Sequence, residues 1–195
     1  MPDFNAISVT QMPENKVYVN NPTHYALIGQ GAQGAVFKIS DSRCVKIYAS
    51  NTFAEMEFSA YQALNNSSIV PKIYEKGANY IIMEYLRSPT LESYLQKKGM
   101  IPQWVTKQVL HVLKKMKQFH FTRIDSALRH IFIDKNSNAK VIDLVHAYTI
   151  KEPFPSLLLS EMRNLGLLKA FLQQVKELEP QLYLEWKKSP HFKPE

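Results

Sequence analysis

The stretch Ile28–Val36, with the sequence IGQGAQGAV, gathers three of the chain's six glycines. Glycine lets the backbone take a positive φ, and without a Cβ its amide can approach a phosphate closely. One β-rich run precedes this stretch and another continues from it, so strand follows strand and no helix opens after the third glycine. This context excludes a strand–turn–helix dinucleotide site and predicts a β-hairpin lid over phosphates.

Length and composition predict a globular chain. With 195 residues, 45% hydrophobic and 21% charged, the chain suits one domain of ordinary size or one built as two small lobes. The single cysteine, Cys44, cannot form an internal disulfide, which indicates a reducing compartment and predicts a cytoplasmic location. The sequence has no apolar run long enough for a membrane span and no signal-peptide pattern at its N-terminus.

The charge balance is basic, with 24 Lys and Arg against 17 Asp and Glu and a net charge of +7. Such a balance suits nucleic acid, an anionic membrane face or phosphate-bearing ligands. The basic residues are scattered, and the sequence contains neither an RNA-recognition motif nor zinc-finger spacing. We therefore expect a solvated basic surface and do not expect nucleic acid as a partner.

The first part of the chain has a β-rich pattern. Residues 1–24 predict an N-terminal arm with one short strand at Lys16–Val19. Residues 25–86 predict three strands, a helix and two strands. The helix covers residues 53–66, with Asn51 or Thr52 as its cap.

Residues 87–195 have a helical pattern. Thr90 and Gly99 are suited to cap the two ends of the first helix, and 3/4 apolar spacing predicts a longer helix after it. Two short strands follow, over 130–134 and 140–144, and then a last helix over 160–178 that Pro180 stops. The chain thus predicts a β-rich N-terminal lobe joined by a strand-like linker to a helical C-terminal lobe.

Lys46 lies in the strand after the glycine-rich stretch, on the face opposite Val45 and Ile47. Taken alone, it would be a solvent-facing strand lysine. A lysine that stays ordered near phosphate needs a carboxylate to hold its ammonium, and the following helix carries Glu55 and Glu57 on its polar side. The pattern therefore favours a phosphate-binding lysine paired with one of these glutamates.

Two aspartates stand at loop positions in the helical half. Asp143 follows Val141 and Ile142 at the end of a short strand, where a carboxylate is a suitable ligand for Mg²⁺. Asp125, on a preceding loop, is placed to accept a proton from an attacking hydroxyl. Each aspartate alone would be a cap or turn residue, but the two in this order, after the glycines and the lysine, favour phosphoryl transfer.

With these four features the sequence resembles the protein-kinase-like superfamily over residues 28–144. Within it, the sequence is similar to the minimal kinases of the RIO and lipopolysaccharide-kinase type, and most of all to the small serine/threonine kinases of Bacillus-type bacteria. The resemblance implies an α+β, bilobal protein-kinase-like fold with an antiparallel-sheet N-lobe (25–86) and a reduced helical C-lobe (87–195).

The resemblance also implies roles for individual residues. Lys46 would contact the phosphates of ATP, and Glu57 would be its helix partner, with Glu55 as the second choice. Asp125 would be the catalytic aspartate, and Asp143 would bind Mg²⁺ or Mn²⁺. The other residues implied to bind ATP, through the glycine-rich loop, the adenine contact and the hinge Met83–Leu86, are Gly29, Gly31, Gly34, Val36, Glu84 and Leu86.

Three positions depart from the motifs of the family. Arg123-Ile124-Asp125 replaces H-R-D, His130 stands where an asparagine is expected, and Asp143-Leu144-Val145 replaces D-F-G. His130 is either a second metal ligand, which would favour Mn²⁺ over Mg²⁺, or a packing residue beside a buried strand.

Two functions from different classes follow. The first is a cytoplasmic ATP-dependent phosphotransferase whose acceptor is a serine or threonine of a protein, or of the chain itself by autophosphorylation. The alternative is a catalytically impaired pseudokinase that binds a nucleotide or a protein. A basic nucleic-acid-associated protein is a weaker third hypothesis.

Overall fold

The structure is a computed structural model and describes residues 3–64, 67–189 and 192. Within these residues the chain forms six α-helices and nine β-strands, so the predicted α+β class is confirmed. The strands are β1 (Ser8–Met12), β2 (Lys16–Asn20), β3 (Ala26–Gln30), β4 (Gly34–Lys38), β5 (Arg43–Tyr48), β6 (Ile73–Lys76), β7 (Tyr80–Glu84), β8 (Ile131–Asp134) and β9 (Ser137–Val141). The helices are α1 (Asn51–Ala63), α2 (Leu91–Lys98), α3 (Gln103–Gln118), α4 (Ser156–Asn164), α5 (Leu168–Leu178) and α6 (Pro180–Trp186).

The chain divides by its own contacts into two compact units. The first comprises Met1–Asn65 and Pro71–Arg87, and the second comprises Asn66–Val70 and Ser88–Glu195. The bilobal arrangement, and the division into an N-terminal arm (1–24), an N-lobe (25–86) and a C-lobe (87–195), stay predictions.

The framework of the first unit is an antiparallel sheet in the order β3-β4-β5-β7-β6. Strands β5 and β7 are its most buried members, and their valine, isoleucine and tyrosine residues suit a sheet covered on both faces. Helix α1 begins after Ser50, whose hydroxyl accepts a hydrogen bond from the amide of Phe53; the sequence predicts Asn51 or Thr52 in this role. The predicted series of three strands, a helix and two strands is otherwise confirmed.

The N-terminal segment differs from the predicted arm. The strand expected at Lys16–Val19 is present as β2, but β1 pairs with it in an antiparallel hairpin. Glu14 and Asn15 form the turn of this hairpin with positive φ angles. Glycine is the usual sequence signal for such a turn, and it is absent from these two positions. The hairpin packs on the sheet in one apolar cluster, which contains Phe4, Ile7, Val9, Val17, Ala35, Phe37, Val45, Ile47 and Ile82.

Helices make up most of the second unit. As the sequence predicts, Thr90 caps the start of α2, and Gly99, with a φ of 65°, ends it. Helix α3 buries an apolar stripe at 3/4 spacing, which contacts α5 and the β8–β9 hairpin. The strand predicted over 140–144 is observed as β9, Ser137–Val141, so Asp143 lies beyond the end of the observed strand.

The last helical region also differs from the prediction. The single helix expected over 160–178 is divided between α4 and α5. Gly166 follows the end of α4 with a φ of 71°, a backbone conformation in which glycine readily ends a helix. Helix α5 ends at Leu178, as the sequence predicts ahead of Pro180. Pro180 then begins α6, since the first turn of a helix needs no amide donor from proline.

Among the helices of residues 3–64 and 67–189, none is both long enough and apolar enough to cross a bilayer.

We expect Phe4→Ala to lower the free energy of unfolding by about 3–5 kcal/mol, because it removes a buried aromatic ring from the core. The ring is 1% exposed and lies edge-on to Tyr80, with centroids 5.0 Å apart. Tyr18→Ala, at a position 61% exposed on β2, is the control and should cost about 0.5 kcal/mol or less. Urea unfolding measures the free energy of unfolding of both variants. If Phe4→Ala costs as little as Tyr18→Ala, the N-terminal segment is a peripheral arm and not part of the core.

Candidate functional site

The glycine-rich stretch forms the turn between β3 and β4. The amide of Gly31 donates to the carbonyl of Gly34 at 2.9 Å, and the two strands pair on either side of this turn. The predicted β-hairpin is therefore confirmed. Outside the turn, the side-chain amide of Gln30 donates to the carbonyl of Val17 at 2.8 Å, so the hairpin of β1 and β2 also holds this segment.

The three glycines meet different surroundings. At Gly34, an added Cβ would lie 2.4 Å from the carbonyl oxygen of Ile47, so close packing against β5 requires glycine there. At Gly29 the nearest contact would be an ordinary 3.7 Å to Val36, and at Gly31 nothing lies within 4 Å. Positive φ angles among the described glycines occur at Gly99 and Gly166, so backbone torsion is not the reason for glycine in this stretch.

These surroundings predict that alanine at Gly34 lowers the stability of the fold and that alanine at Gly31 does not. Gly34→Ala should destabilise the fold by about 1–3 kcal/mol, because the methyl group collides with backbone. Gly31→Ala should leave the free energy of unfolding within about 0.5 kcal/mol of the wild type and should weaken nucleotide binding if the loop binds phosphates. Thermal unfolding and calorimetric titration with Mg-ATP measure the two effects. Loss of stability in Gly31→Ala would assign that glycine to packing.

Lys46 lies near the middle of β5 and is 9% exposed. Its flanking residues Val45 and Ile47 belong to the apolar cluster beneath the N-terminal hairpin, so Lys46 faces the opposite side of the sheet. Its paired residue on the neighbouring strand β4 is Val36, which the resemblance predicts to contact the adenine of ATP. Both residues therefore project from the same face of the first unit.

The structure brings Lys46 and Glu57 together. The lysine Nζ lies 2.6 Å from Glu57 Oε2, and Glu57 is 0% exposed. The alternative partner, Glu55, instead pairs with Lys76 at the surface. The sequence pattern predicts both glutamates on the polar side of α1, and for Glu57 this prediction is wrong. The helix buries Ala54, Glu57, Ala60 and Tyr61 on one face, because Glu57 enters the core together with its cation.

Two tyrosines that sequence analysis did not identify also contact Glu57. Tyr48 donates its hydroxyl to Oε2 at 2.7 Å, and Tyr61 donates to Oε1 at 2.9 Å. Both rings are buried, and the ring of Tyr48 lies 5.1 Å from the ammonium of Lys46. The i,i+4 spacing of Glu57 and Tyr61 on one helix is the sequence pattern that indicates such a contact.

The proposed hinge, Met83–Leu86, comprises the last two residues of β7 and the two residues after it. Glu84 donates its amide to the carbonyl of Lys72, and its carboxylate accepts from the amide of Lys72 at 3.0 Å. The amide of Tyr85 donates to the carbonyl of Ser42. These bonds order the backbone through Tyr85, and Leu86 follows directly.

In the second unit, Asp125 binds the start of α4. Both of its carboxylate oxygens lie 3.0 Å from the amide nitrogen of Leu157, and Oδ1 lies 3.3 Å from that of Leu158. Pro155 precedes this helix and offers no side-chain cap, so Asp125 satisfies amides that the local sequence leaves without one. The alternative role of an aspartate as a helix cap is therefore realised at this position.

Burial raises the pKa of Asp125, while the amide hydrogen bonds and the nearby Arg123 act in the opposite direction. The folded chain consequently holds this proton more tightly than the unfolded chain does. Ionising Asp125 costs folding free energy above its folded pKa, and the cost is relieved as the pH falls through that pKa. The same shift brings the carboxylate closer to the range in which a general base works efficiently.

Asp143 and His130 lie together in the second unit. The Nδ1 atom of His130 is 3.5 Å from Asp143 Oδ2. Asp143 itself has a φ of 64°, a left-handed conformation that is uncommon outside glycine and often marks functional positions. The structure thus places the histidine beside the proposed metal-binding aspartate.

The surroundings of Asp143 suit a metal ion that arrives with phosphate. In the described part of the chain, no group of three His, Cys, Asp or Glu side chains could hold a metal by itself. Mg²⁺ commonly binds one or two carboxylates together with substrate phosphates, and one partly exposed carboxylate meets that requirement. The residues therefore fit a nucleotide-bound metal better than a resident one.

No family model matches the chain. Among curated proteins, "Putative serine/threonine-protein kinase YrzF" of Bacillus subtilis is 28% identical over 123 residues, which is 60% of this chain and 57% of that protein. "Probable serine/threonine-protein kinase fnkB" of Dictyostelium discoideum is 26% identical over 144 residues, 69% of this chain and 26% of that protein. The similarity thus spans only part of each relative. It confirms the resemblance to small kinases of Bacillus-type bacteria that the motifs indicated.

Proposed function

We propose that the protein is an ATP-dependent phosphotransferase of the serine/threonine protein kinase type. The observation that carries the proposal is the buried ion pair of Lys46 and Glu57. Burying two charges is costly, and an apolar pair would usually stabilise a core at least as well. A buried, ordered lysine next to a glycine-rich hairpin is therefore better explained by phosphate binding than by stability. The names of the two relatives support the same function.

The site residues have three proposed roles: phosphate binding, metal binding and proton transfer. The backbone amides between Gly31 and Gly34 and the ammonium of Lys46 bind phosphate oxygens, and Glu57 holds the lysine in place. Asp143 binds the divalent metal, Mg²⁺ or Mn²⁺, which supplies neutralisation of phosphate charge when bound. Asp125 accepts the proton of the acceptor hydroxyl as that oxygen bonds to the terminal phosphorus of ATP, and the bond from this phosphorus to the departing ADP breaks. The Oδ2 atom of Asp125 accepts one hydrogen bond, from the amide of Leu157. Each carboxylate oxygen carries two lone pairs, so Oδ2 can also accept the proton.

The acceptor and the cellular setting belong to the same proposal. We infer a serine or threonine hydroxyl of a protein, or of the chain itself, because the two relatives carry the names of serine/threonine kinases. A cytoplasmic location remains the expectation from the single cysteine.

Two observations favour the alternative, a pseudokinase that binds nucleotide or protein. Asp125 caps α4, and a carboxylate used for structure would be retained without catalysis. The replacement of the expected asparagine by His130 points the same way. The two functions differ in whether Asp125 takes part in proton transfer.

Incubation with γ-labelled ATP and Mg²⁺ or Mn²⁺ tests the proposal. We expect label transfer to a protein acceptor or to the chain itself, and Asp125→Asn should reduce it about 10²–10⁴-fold. Asparagine keeps one oxygen to accept the amides of α4, so the variant should stay folded. The rate should also fall on acidification toward the raised pKa of Asp125.

Nucleotide binding without transfer would identify the pseudokinase. Mg-ATP at about 100 times its Kd should raise the free energy of unfolding by about 2.7 kcal/mol in either case. Lys46→Met is the control that should abolish this shift. A melting temperature insensitive to Mg-ATP, together with a flat titration, would exclude both nucleotide-dependent functions.

His130 sets the expected metal preference. We expect wild-type turnover and Mn-ATP affinity to exceed the values with Mg²⁺, because imidazole suits Mn²⁺ better than Mg²⁺. His130→Asn should reverse the preference by supplying an oxygen ligand. Unchanged metal dependence in rate and in calorimetric affinity would leave His130 as a neighbour of Asp143 without a role at the metal.

A further inference from the structure

Glu57 is held by side chains from two elements of the first unit. Tyr48 on β5 donates to Oε2, and Tyr61, one turn further along α1, donates to Oε1. Lys46 donates to Oε2 as well. The carboxylate therefore receives donors on both oxygens, which fixes its rotation and its distance from the strand.

The two tyrosines differ in what they join. The hydroxyl of Tyr48 bonds strand β5 to helix α1, two residues beyond Lys46 on the same strand. The hydroxyl of Tyr61 bonds within α1 and orients the glutamate side chain on its helix. A hydrogen bond to the carboxylate of an ion pair is charge-assisted and about twice as strong as a neutral one, so both contacts hold Glu57 firmly in place.

We propose that Tyr48 and Tyr61 are positioning residues, which hold Glu57 and through it Lys46 in the geometry used for phosphate binding. These three hydrogen bonds join residues of β5 and α1 within the first unit, between Lys46 and Tyr61. The phosphate-binding part of this inference rests on the proposed function; the coupling of the tyrosines to Lys46 does not.

A double-mutant cycle on stability tests the coupling. Tyr61→Phe and Tyr48→Phe keep the ring and remove the hydroxyl. Each should raise the unfolding equilibrium constant about tenfold in the wild type, and threefold or less in the Lys46→Met background, where the carboxylate no longer has its cation. If Lys46→Met does not fold, Glu57→Gln replaces it in the cycle.

Tyr80→Phe is the matched control. It removes a hydroxyl that donates to Glu75 at 2.6 Å on the surface of the same unit. Its effect should be the same, within about twofold, with and without Lys46, since independent sites are additive. A tyrosine whose effect is equally independent of Lys46 is not a positioning residue, and additivity at both Tyr48 and Tyr61 would overturn the proposal.

Nucleotide titration gives the second measurement. Tyr48→Phe and Tyr61→Phe should each weaken Mg-ATP binding about fivefold or more, while Tyr80→Phe should leave it unchanged. Wild-type affinity in both variants would overturn the positioning role even if the cycle showed coupling. A wild-type protein that binds no nucleotide would contradict the proposed function, and the stability cycle would still decide whether the tyrosines hold Lys46.

Discussion

Glu57 has no exposed surface, and its burial constrains the positions of α1 and β5 in the first unit. A buried carboxylate remains charged only when a cation and hydrogen-bond donors surround it. Strand β5 supplies Lys46 and Tyr48, so α1 must lie where residue 57 meets this strand. Ala54 and Ala60 on the same helix face are small enough to allow that approach. Pairing of β5 with both β4 and β7 fixes the register of the strand and with it the position of Lys46 in the sheet.

The elements that the sequence predicts correctly are those whose determining interactions are local. The strands of the sheet follow from period-2 runs with turn residues between them, and the ends of α2 follow from a threonine cap and a left-handed glycine. The identity of the lysine and its helix partner also followed, but only with the help of the family resemblance. The spacing of residues on a helix indicates which side chains share a face, not whether a charged one lies inside.

The missed features depend on contacts between distant residues. Burial of Glu57 requires a cation eleven positions away on a strand, which hydrophobic periodicity cannot register. The hairpin of β1 and β2 turns through Glu14 and Asn15, and it is stable because its apolar side covers a sheet formed later in the chain. The cap of α4 comes from Asp125, far away in sequence, because Pro155 cannot provide one.

Helix α4 also determines how the loop around Asp125 is held. Asp125 binds the first turn of α4, and Glu161 on the same helix accepts from the amide of Leu128 at 2.6 Å. One helix therefore orders both ends of the short segment between the two contacts. The segment after Asp143 is held differently: Leu144 and Val145 are buried. The left-handed turn falls on Asp143 itself, and packing of the two residues after it fixes the chain on the C-terminal side of this carboxylate, which lies 3.5 Å from His130 Nδ1.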